Sequence, residues 1–183
     1  MRVWRRWSLA LIMATFFLGC TTDLHRVYTD GSFRAIPGER TGVFVWAEDA
    51  VLRETVQTWL RNHGLTILDQ ALPRQRAESC QDCELQAVLA HAKLLKAEQV
   101  VFARFSRNHN PDELAVSIRA LSVQNEEDLW KGTARESFPT DIAGEQLRTN
   151  LVLLTCHALA TVWRYRPAGY LRTASMDYCY YRL

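Results

Sequence analysis

Two cysteines separated by two residues form the sharpest chemical pattern in the chain, Cys80-Gln81-Asp82-Cys83. Such a pair at the start of a helix can support thiol–disulfide exchange, because the positive end of the helix stabilises a thiolate and lowers its pKa. A redox motif of this kind usually follows a strand directly, whereas this pair follows a loop around Pro73. The pattern therefore favours a structural disulfide, with a thiol–disulfide enzyme as the alternative.

Further cysteines and histidines widen the chemistry that this pair could take part in. Cys156 and Cys179 raise the set to four, and an even number suits disulfides in an oxidising compartment, with three pairings open. A zinc site at the pair would need two more ligands, from His91 or from Cys156-His157. No second paired motif stands at a suitable spacing, so we predict neither a metal nor another cofactor.

Charged residues follow the predicted strands and offer the one place for a small ligand, because ligands gather at the carboxyl ends of parallel strands. These residues are Glu48, Asp49, Asp69, Arg104 and Arg107. Each also has a structural role, such as helix capping by Asp49, and a small-ligand carrier is a further alternative. The chain has no glycine-rich phosphate loop, no G-x-S-x-G and no H-E-x-x-H. We therefore predict no catalytic residues and no enzymatic activity.

The elements that position these residues follow from hydrophobic periodicity and from capping signals. Short apolar runs predict strands and residues spaced three or four apart predict helix faces, while strict alternation predicts a hairpin. The predicted strands are 43–46, 65–68, 99–105, 114–120 and 129–138, and the predicted helices are 49–64, 85–95 and about 141–162. The order β-α-β-α-β-β-β-α indicates one α/β domain over residues 41–167, with a mixed sheet of about five strands and three helices.

The amino terminus carries an export signal, a basic segment followed by an apolar run from Leu9 to Leu18. The run is too short for a membrane-spanning helix, which needs about 20 residues. The sequence Phe17-Leu18-Gly19-Cys20 resembles the lipobox of bacterial lipoproteins, with Phe17 in place of the usual leucine. The resemblance implies that residues 1–19 are removed, that the Cys20 thiol receives a diacylglycerol, and that the new amino group is acylated, for example with palmitate.

The rest of the chain is consistent with a lipid-anchored domain. Thr21 replaces the aspartate that commonly retains such lipoproteins in the inner membrane, so the resemblance implies an outer-membrane anchor facing the periplasm. Residues 20–40 are polar and broken by glycine and proline, which predicts a flexible tether. The 183 residues less the 19 before Cys20 leave 164, with 19 basic and 20 acidic residues, so nothing indicates nucleic-acid binding.

The domain itself resembles a known group of small α/β domains. A strand, a helix ending in His63-Gly64, a second strand and the segment Leu94–Val101 are similar to domains of several envelope lipoproteins. These include penicillin-binding-protein activators, curli-secretion lipoproteins and the amino-terminal domain of the Tol-system propeller protein. The turn Lys96-Ala97-Glu98 departs from their Gly-Ala-Asp pattern at its first position. The resemblance implies a non-catalytic domain that binds another envelope protein or self-associates, and it transfers no functional residue.

The tail, residues 168–183, is rich in tyrosine and arginine, the residue types enriched at binding hot spots. Trp163, just before it, fits a core position. The candidate partner contacts are Tyr170, Arg172, Tyr178, Tyr180 and Tyr181.

Overall fold

The structure, a computed structural model, describes residues 28–33, 41–68, 81–109, 112–138 and 142–163. Within these ranges the chain forms six strands and three helices. The strands are β1 (Tyr28–Phe33), β2 (Gly42–Ala47), β3 (Thr66–Ile67), β4 (Gln99–His109), β5 (Asp112–Ser122) and β6 (Asp128–Phe138). The helices are α1 (Ala50–Asn62), α2 (Gln81–Leu94) and α3 (Gly144–Trp163).

All six strands belong to one mixed sheet in the order β1-β6-β5-β4-β2-β3. β2 lies parallel to both β3 and β4, whereas β4, β5, β6 and β1 pair antiparallel in succession. The predicted α/β class and single mixed sheet are confirmed. β3 is shorter than predicted, with two residues, and β1 adds a sixth strand inside the segment 20–40 that we predicted to be a tether.

The two ends of this sheet, the turn end and the tether end, hold different parts of the chain. The turn end holds the first residues of β2 and β4 and the turn between β5 and β6, which comprises residues 122–128. The tether end, opposite, holds the first residue of β1, because Tyr28 pairs with Arg135 late in β6. α3 runs from the tether end to the turn end, where Trp163 meets Trp130.

The core has two parts, one on each face of the sheet. α1 and α3 cover the larger face, where Trp59 and Leu154 pack with strand residues such as Val101 and Ile118. α2 covers the smaller face over β2 and β4, where Leu89 packs against Phe102. Each fully buried side chain of this kind contributes about 1.5–3 kcal/mol relative to exposure. Together the two layers account for the burial of β2 on both faces.

The alternation of apolar and polar residues along β5 matches the two faces of the strand. Its even-numbered apolar residues, among them Leu114 and Ile118, are buried under α3, while Ser117 and Arg119 are exposed on the other face. The period of two therefore confirms the predicted half-buried strand.

Local hydrogen bonds set the ends of α1. The Asp49 carboxylate accepts from the backbone N–H groups of Val51 (2.8 Å) and Leu52 (3.1 Å), as predicted for an N-cap. At the other end, Gly64 has a φ of 86°, and the amide of Leu65 reaches back to the carbonyl of Leu60. This pattern is a Schellman motif, in which the left-handed position favours glycine.

α2 ends in the same motif but with a lysine at the equivalent position. The amide of Ala97 donates to the carbonyl of Ala92 at 3.0 Å, and Lys96 has a φ of 56°. An L-residue in this region carries a steric cost of about 1–2 kcal/mol that glycine avoids. At the position of Lys96, glycine would therefore make the folded state more stable than lysine does.

We expect Lys96→Gly to raise the free energy of unfolding by about 0.5–1 kcal/mol, since relief of strain outweighs the extra chain entropy of glycine. The reciprocal change Gly64→Ala should lower it by about 1 kcal/mol. Urea denaturation of both variants beside the parent chain measures the two differences. A destabilised Lys96→Gly protein would contradict this account of the turn.

Candidate functional site

The charged residues predicted at the carboxyl ends of the parallel strands have structural roles at the tether end. Asp49 caps α1, and a Glu48 carboxylate oxygen accepts from the backbone N–H of Phe105 in β4 at 2.7 Å. Arg104 pairs with Glu84 of α2 at 2.6 Å and lies over the ring of Trp46. Arg107 is half-buried, and Asp69 lies outside the described residues. Arg104 therefore joins α2 to the sheet, Glu48 joins the end of β2 to β4, and Asp49 acts within α1.

Only part of the cysteine set falls within the described residues. α2 begins at Gln81, so Cys83 lies in its first turn, as the sequence pattern predicts, although its side chain is not described. Cys156 is fully buried in α3. Cys20, Cys80 and Cys179 lie outside the described residues, so lipidation and the disulfides stay predictions.

The residues considered for a zinc site lie on different layers. His91 is on α2 and packs edge-on against Phe44, with ring centroids 5.1 Å apart, on the smaller face of the sheet. Cys156 and His157 are on α3, which covers the larger face. The sheet thus separates His91 from Cys156. In the described part of the chain, no group of three or more His, Cys, Asp or Glu side chains is placed to hold a metal ion.

The aromatic residues before the tail belong to the core, as expected for Trp163. His63 stacks on Trp59, with ring centroids 4.7 Å apart, and its Nδ1 lies 2.7 Å from the Trp59 carbonyl oxygen. Trp163 meets His63 and Trp130 edge-on, each at 5.5 Å. The tail candidates Tyr170, Arg172, Tyr178, Tyr180 and Tyr181 lie outside the described residues.

A groove of about 550 Å³ opens at the turn end of the sheet. This volume lies within the range of about 300–1,000 Å³ that is usual for small-molecule sites. The groove lies at the amino end of β4, opposite the carboxyl ends at which we predicted a ligand site. The lining residues come from the end of α2 (Lys93), from the α2–β4 turn (Lys96, Ala97, Glu98), from β4 (Gln99), and from the β5–β6 turn with its flanks (Ser122, Val123, Gln124, Leu129).

Three polar groups in the groove are without a partner among the described residues. Gln99 is 93% buried, and its Oε1 atom accepts no hydrogen bond. The Lys96 ammonium and the Glu98 carboxylate are exposed at the rim and form no ion pair or hydrogen bond there. Lys93, by contrast, is paired with Glu126 at 3.0 Å. The groove thus has one free cation and one free anion at its rim, while the Oε1 atom of Gln99 is too deeply buried to be reached from it.

The sequence held one signal of this site that periodicity did not reveal. The first position of the Lys96-Ala97-Glu98 turn departs from the glycine of similar domains, and the structure shows that this position has positive φ. Strained residues cluster at functional sites, so a non-glycine residue at such a turn marks a place to inspect.

No described helix is long and apolar enough to cross a membrane. Comparison with known proteins found no matching family model and no matching curated protein. Among solved structures, the chain is similar to the PelC dodecamer from Paraburkholderia phytofirmans, with a TM-score of 0.50 and 12% identity over 78% of this chain and all of that one. This likeness shows a shared fold.

Two further solved structures have TM-scores below 0.5. Lipoprotein GNA1162 from Neisseria meningitidis has a TM-score of 0.42 and 14% identity, over 61% of this chain and 91% of that one. The LpoB C-terminal domain from Salmonella enterica has a TM-score of 0.42 and 18% identity, over 55% of this chain and 86% of that one.

Proposed function

We propose that this chain is an outer-membrane lipoprotein anchored through Cys20, and that its α/β domain works by binding or assembling with another envelope protein, without catalysis of its own. The observation that carries the proposal is the fold, which this chain shares with the whole length of a PelC chain, a protein that assembles as a dodecamer. The lipobox-like sequence that ends at Cys20 and the apolar run before it support the outer-membrane anchor.

The place where β1 begins supports a definite orientation. Tyr28 follows Cys20 by eight positions, so the first residue of β1 lies within about 28 Å of the lipidated cysteine at full extension. The sheet is longer than this, since 11 residues of β6 span about 35 Å. We therefore expect the tether end to lie near the membrane and the turn end to point away from it into the periplasm.

The last described residue of α3 lies at the same end. α3 ends at Trp163, beside Trp130 at the turn end, and residues 164–183 continue from there. We propose that the partner contacts Tyr170, Arg172 or Tyr178 of this following segment. Tyr and Arg are suited to this role because they bury large amphipathic surfaces.

The test is in-cell photocrosslinking of the lipidated chain from matched exposed positions at the two ends. We expect a crosslinker at Gln124, at the turn end, to capture one reproducible envelope protein or a second copy of the chain, and one at Asn108, at the tether end, to capture less. Deleting Tyr170–Leu183 should abolish the Gln124 product, which mass spectrometry identifies.

Each result bears on a separate part of the proposal. A second copy as the product would establish self-assembly, and native mass spectrometry of the detergent-extracted protein would then give its subunit number. A monomer from both crosslinking positions would overturn the binding function. An equal yield from Asn108 would overturn the orientation but leave the binding function standing.

A further inference from the structure

We infer that Cys156 and Cys179 form a disulfide, and that this bridge holds the tail, residues 168–183, against the outer side of α3. The outer side is the side of the helix that faces away from the sheet, and it includes Cys156 and Ala160. The inference rests on the proposed function in one respect only, because a lasting disulfide requires export to an oxidising compartment.

Contacts with β6 distinguish the outer side of α3 from the side that faces the sheet. A Cβ at Gly132 would meet Ala158 and Val162, so these two residues face the sheet. An α-helix turns by about 100° per residue. Cys156 and Ala160, each two positions from Ala158, therefore point roughly away from the sheet.

The outer side is buried only towards the end of α3. It is exposed at Glu145 and half-buried at Thr149, whereas Cys156 is 0% exposed and Ala160 is 3% exposed. Every residue from 158 to 163 is buried, which is the pattern of a helix with neighbours on all sides. The sheet and α1 are two of these neighbours. A third is needed on the outer side.

Cys156 indicates which part of the chain supplies this cover. Its sulfur is disulfide-bonded, and no other cysteine has a described side chain. Cys20 is the proposed lipid-bearing residue, so its thiol is not available. The partner is therefore one of Cys80, Cys83 and Cys179.

The sheet excludes the first two of these cysteines. Cys83 lies in the first turn of α2 on the smaller face, whereas Cys156 lies on the larger face. Layers pack about 10 Å apart, so α2 and α3 are about 20 Å apart across the sheet, and Cys80, three positions before Cys83, could shorten this by at most about 10 Å. The two Cα atoms of a disulfide lie within about 7 Å of each other, which leaves Cys179.

The chain after α3 is long enough to return to Cys156. Cys179 follows Trp163 by 16 positions, a reach of about 50 Å, whereas the helix from Cys156 to Trp163 spans about 10 Å. Pro167 and Gly169 lie just after the helix, and these residue types favour its end and a reversal of the chain.

Formation of the bridge is a thiol–disulfide exchange with an oxidised dithiol carrier protein of the periplasm. The Cys179 thiolate attacks the carrier disulfide, and the Cys156 thiolate then attacks the resulting mixed disulfide and releases the carrier. The two cysteines give up two electrons and two protons, which reduce the carrier disulfide to a dithiol. The bridge would fix Tyr178 and Tyr180, the neighbours of Cys179 and candidate partner contacts, beside α3.

The test is peptide mapping of the full-length lipidated protein, extracted in detergent, alkylated without reduction and digested with trypsin. Cys156 lies in peptide 149–164, Cys179 in peptide 173–182, and the Cys80/Cys83 pair in peptide 77–93. We expect peptides 149–164 and 173–182 to be joined and to separate on reduction. Because lipidation reports export, a missing bridge in the lipidated protein would contradict the bridge and not the anchor.

Thermal unfolding measures what the bridge contributes to stability. In a Cys80→Ala/Cys83→Ala background, the inferred bridge is the one that remains to be reduced. Dithiothreitol should lower the Tm of this protein by about 10 °C, since it opens a closed loop of 24 residues. Adding Cys179→Ala should give the lower Tm at once and remove the effect of dithiothreitol.

A matched pair of substitutions tests whether the tail covers α3. Ala160→Glu should lower the Tm by about 10 °C, because it forces a charge beneath the tail. Thr149→Glu, on the same side about three turns earlier, should change the Tm by less than about 2 °C, because Thr149 is half-exposed.

Three results would overturn the inference. One is the recovery of peptides 149–164 and 173–182 separately alkylated from the lipidated protein, and another is a link between peptides 149–164 and 77–93. The third is an Ala160→Glu protein as stable as Thr149→Glu, which would show that the outer side of α3 is open. None of these depends on whether the domain has a protein partner.

Discussion

Replacing Gly132 with alanine should destabilise the domain by about 3 kcal/mol, at the upper end of the range for overpacked sites. Gly132 lies in β6 where α3 crosses the sheet, and a Cβ there would clash with the carbonyl oxygen of Ala158 and lie 2.8 Å from the Val162 side chain. The first of these atoms belongs to helix backbone, so it cannot rotate away. Thermal unfolding followed by circular dichroism should show a fall in Tm of about 10 °C.

Gly31, which pairs with Gly132 across the strands, provides the matched control. A Cβ at Gly31 would lie 3.0 Å from the Thr161 Cγ2 atom and 3.3 Å from the Lys131 carbonyl oxygen, which are looser contacts than those at Gly132. Gly31→Ala should therefore cost about 1 kcal/mol. If Gly132→Ala melted within 2 °C of the parent, the close contact between α3 and β6 would be refuted. The two elements would then be far enough apart to admit a methyl group.

Replacing Cys20 with alanine should abolish lipidation completely. Without the thiol there is no acceptor for the diacylglycerol, and in lipoproteins this attachment precedes cleavage, so the variant should keep residues 1–19. Labelled palmitate added to growing cells should enter the parent chain and not the variant. Intact mass should show the heavier, uncleaved chain.

Cys179→Ala is the control for this change, since it removes a thiol from the tail and should leave the label in place. Durable anchoring rests on several acyl chains, each methylene contributing about 0.8 kcal/mol. Palmitate in the Cys20→Ala variant, or cleavage before residue 20 without lipid, would refute the anchor. The crosslinking experiment would then need a different membrane attachment.

The parts of the fold that the sequence predicted are those whose determinants are close together in the chain. The Asp49 cap and the Gly64 motif each act within a few residues, so their side chains and backbone identify them directly. The alternation in β5 likewise records which face meets the core. Periodicity and capping are local properties, and they give the order of elements and hence the α/β class.

β1 illustrates a part that local pattern could not reveal. Its sequence, Tyr-Thr-Asp-Gly-Ser-Phe, has no apolar alternation, and it forms a strand because its backbone pairs with β6, about a hundred residues later. Edge strands are held largely by main-chain hydrogen bonds, which carry little sequence signal. The prediction of an irregular tether over the whole of residues 20–40 was therefore too long.

The groove and its residues depended on contacts that are distant in the chain. The β4–β5 pairing places Gln99 beside Ser122, and the backbone bond from Val123 to Glu98 at 3.0 Å joins the two turns that form the walls. Nothing in the spacing of Lys96 and Gln124 indicates that they share a cavity. Our prediction of a site at the opposite end followed a general rule for parallel strands, whereas here the charged groups at that end are used in capping and pairing.

The sequence by itself determined the order of helices and strands from β2 onward, the two caps of α1 and the faces that meet the core. It also predicts the export signal and the anchor. These depend on residue types at short spacing, where a side chain acts on its own backbone or on its immediate neighbours. Only the tertiary structure decided that Gly132 must lack a side chain and that the Gln99 Oε1 atom is buried without a partner. Each of these depends on how closely segments that are distant in the sequence approach one another, and tertiary packing alone determines that separation.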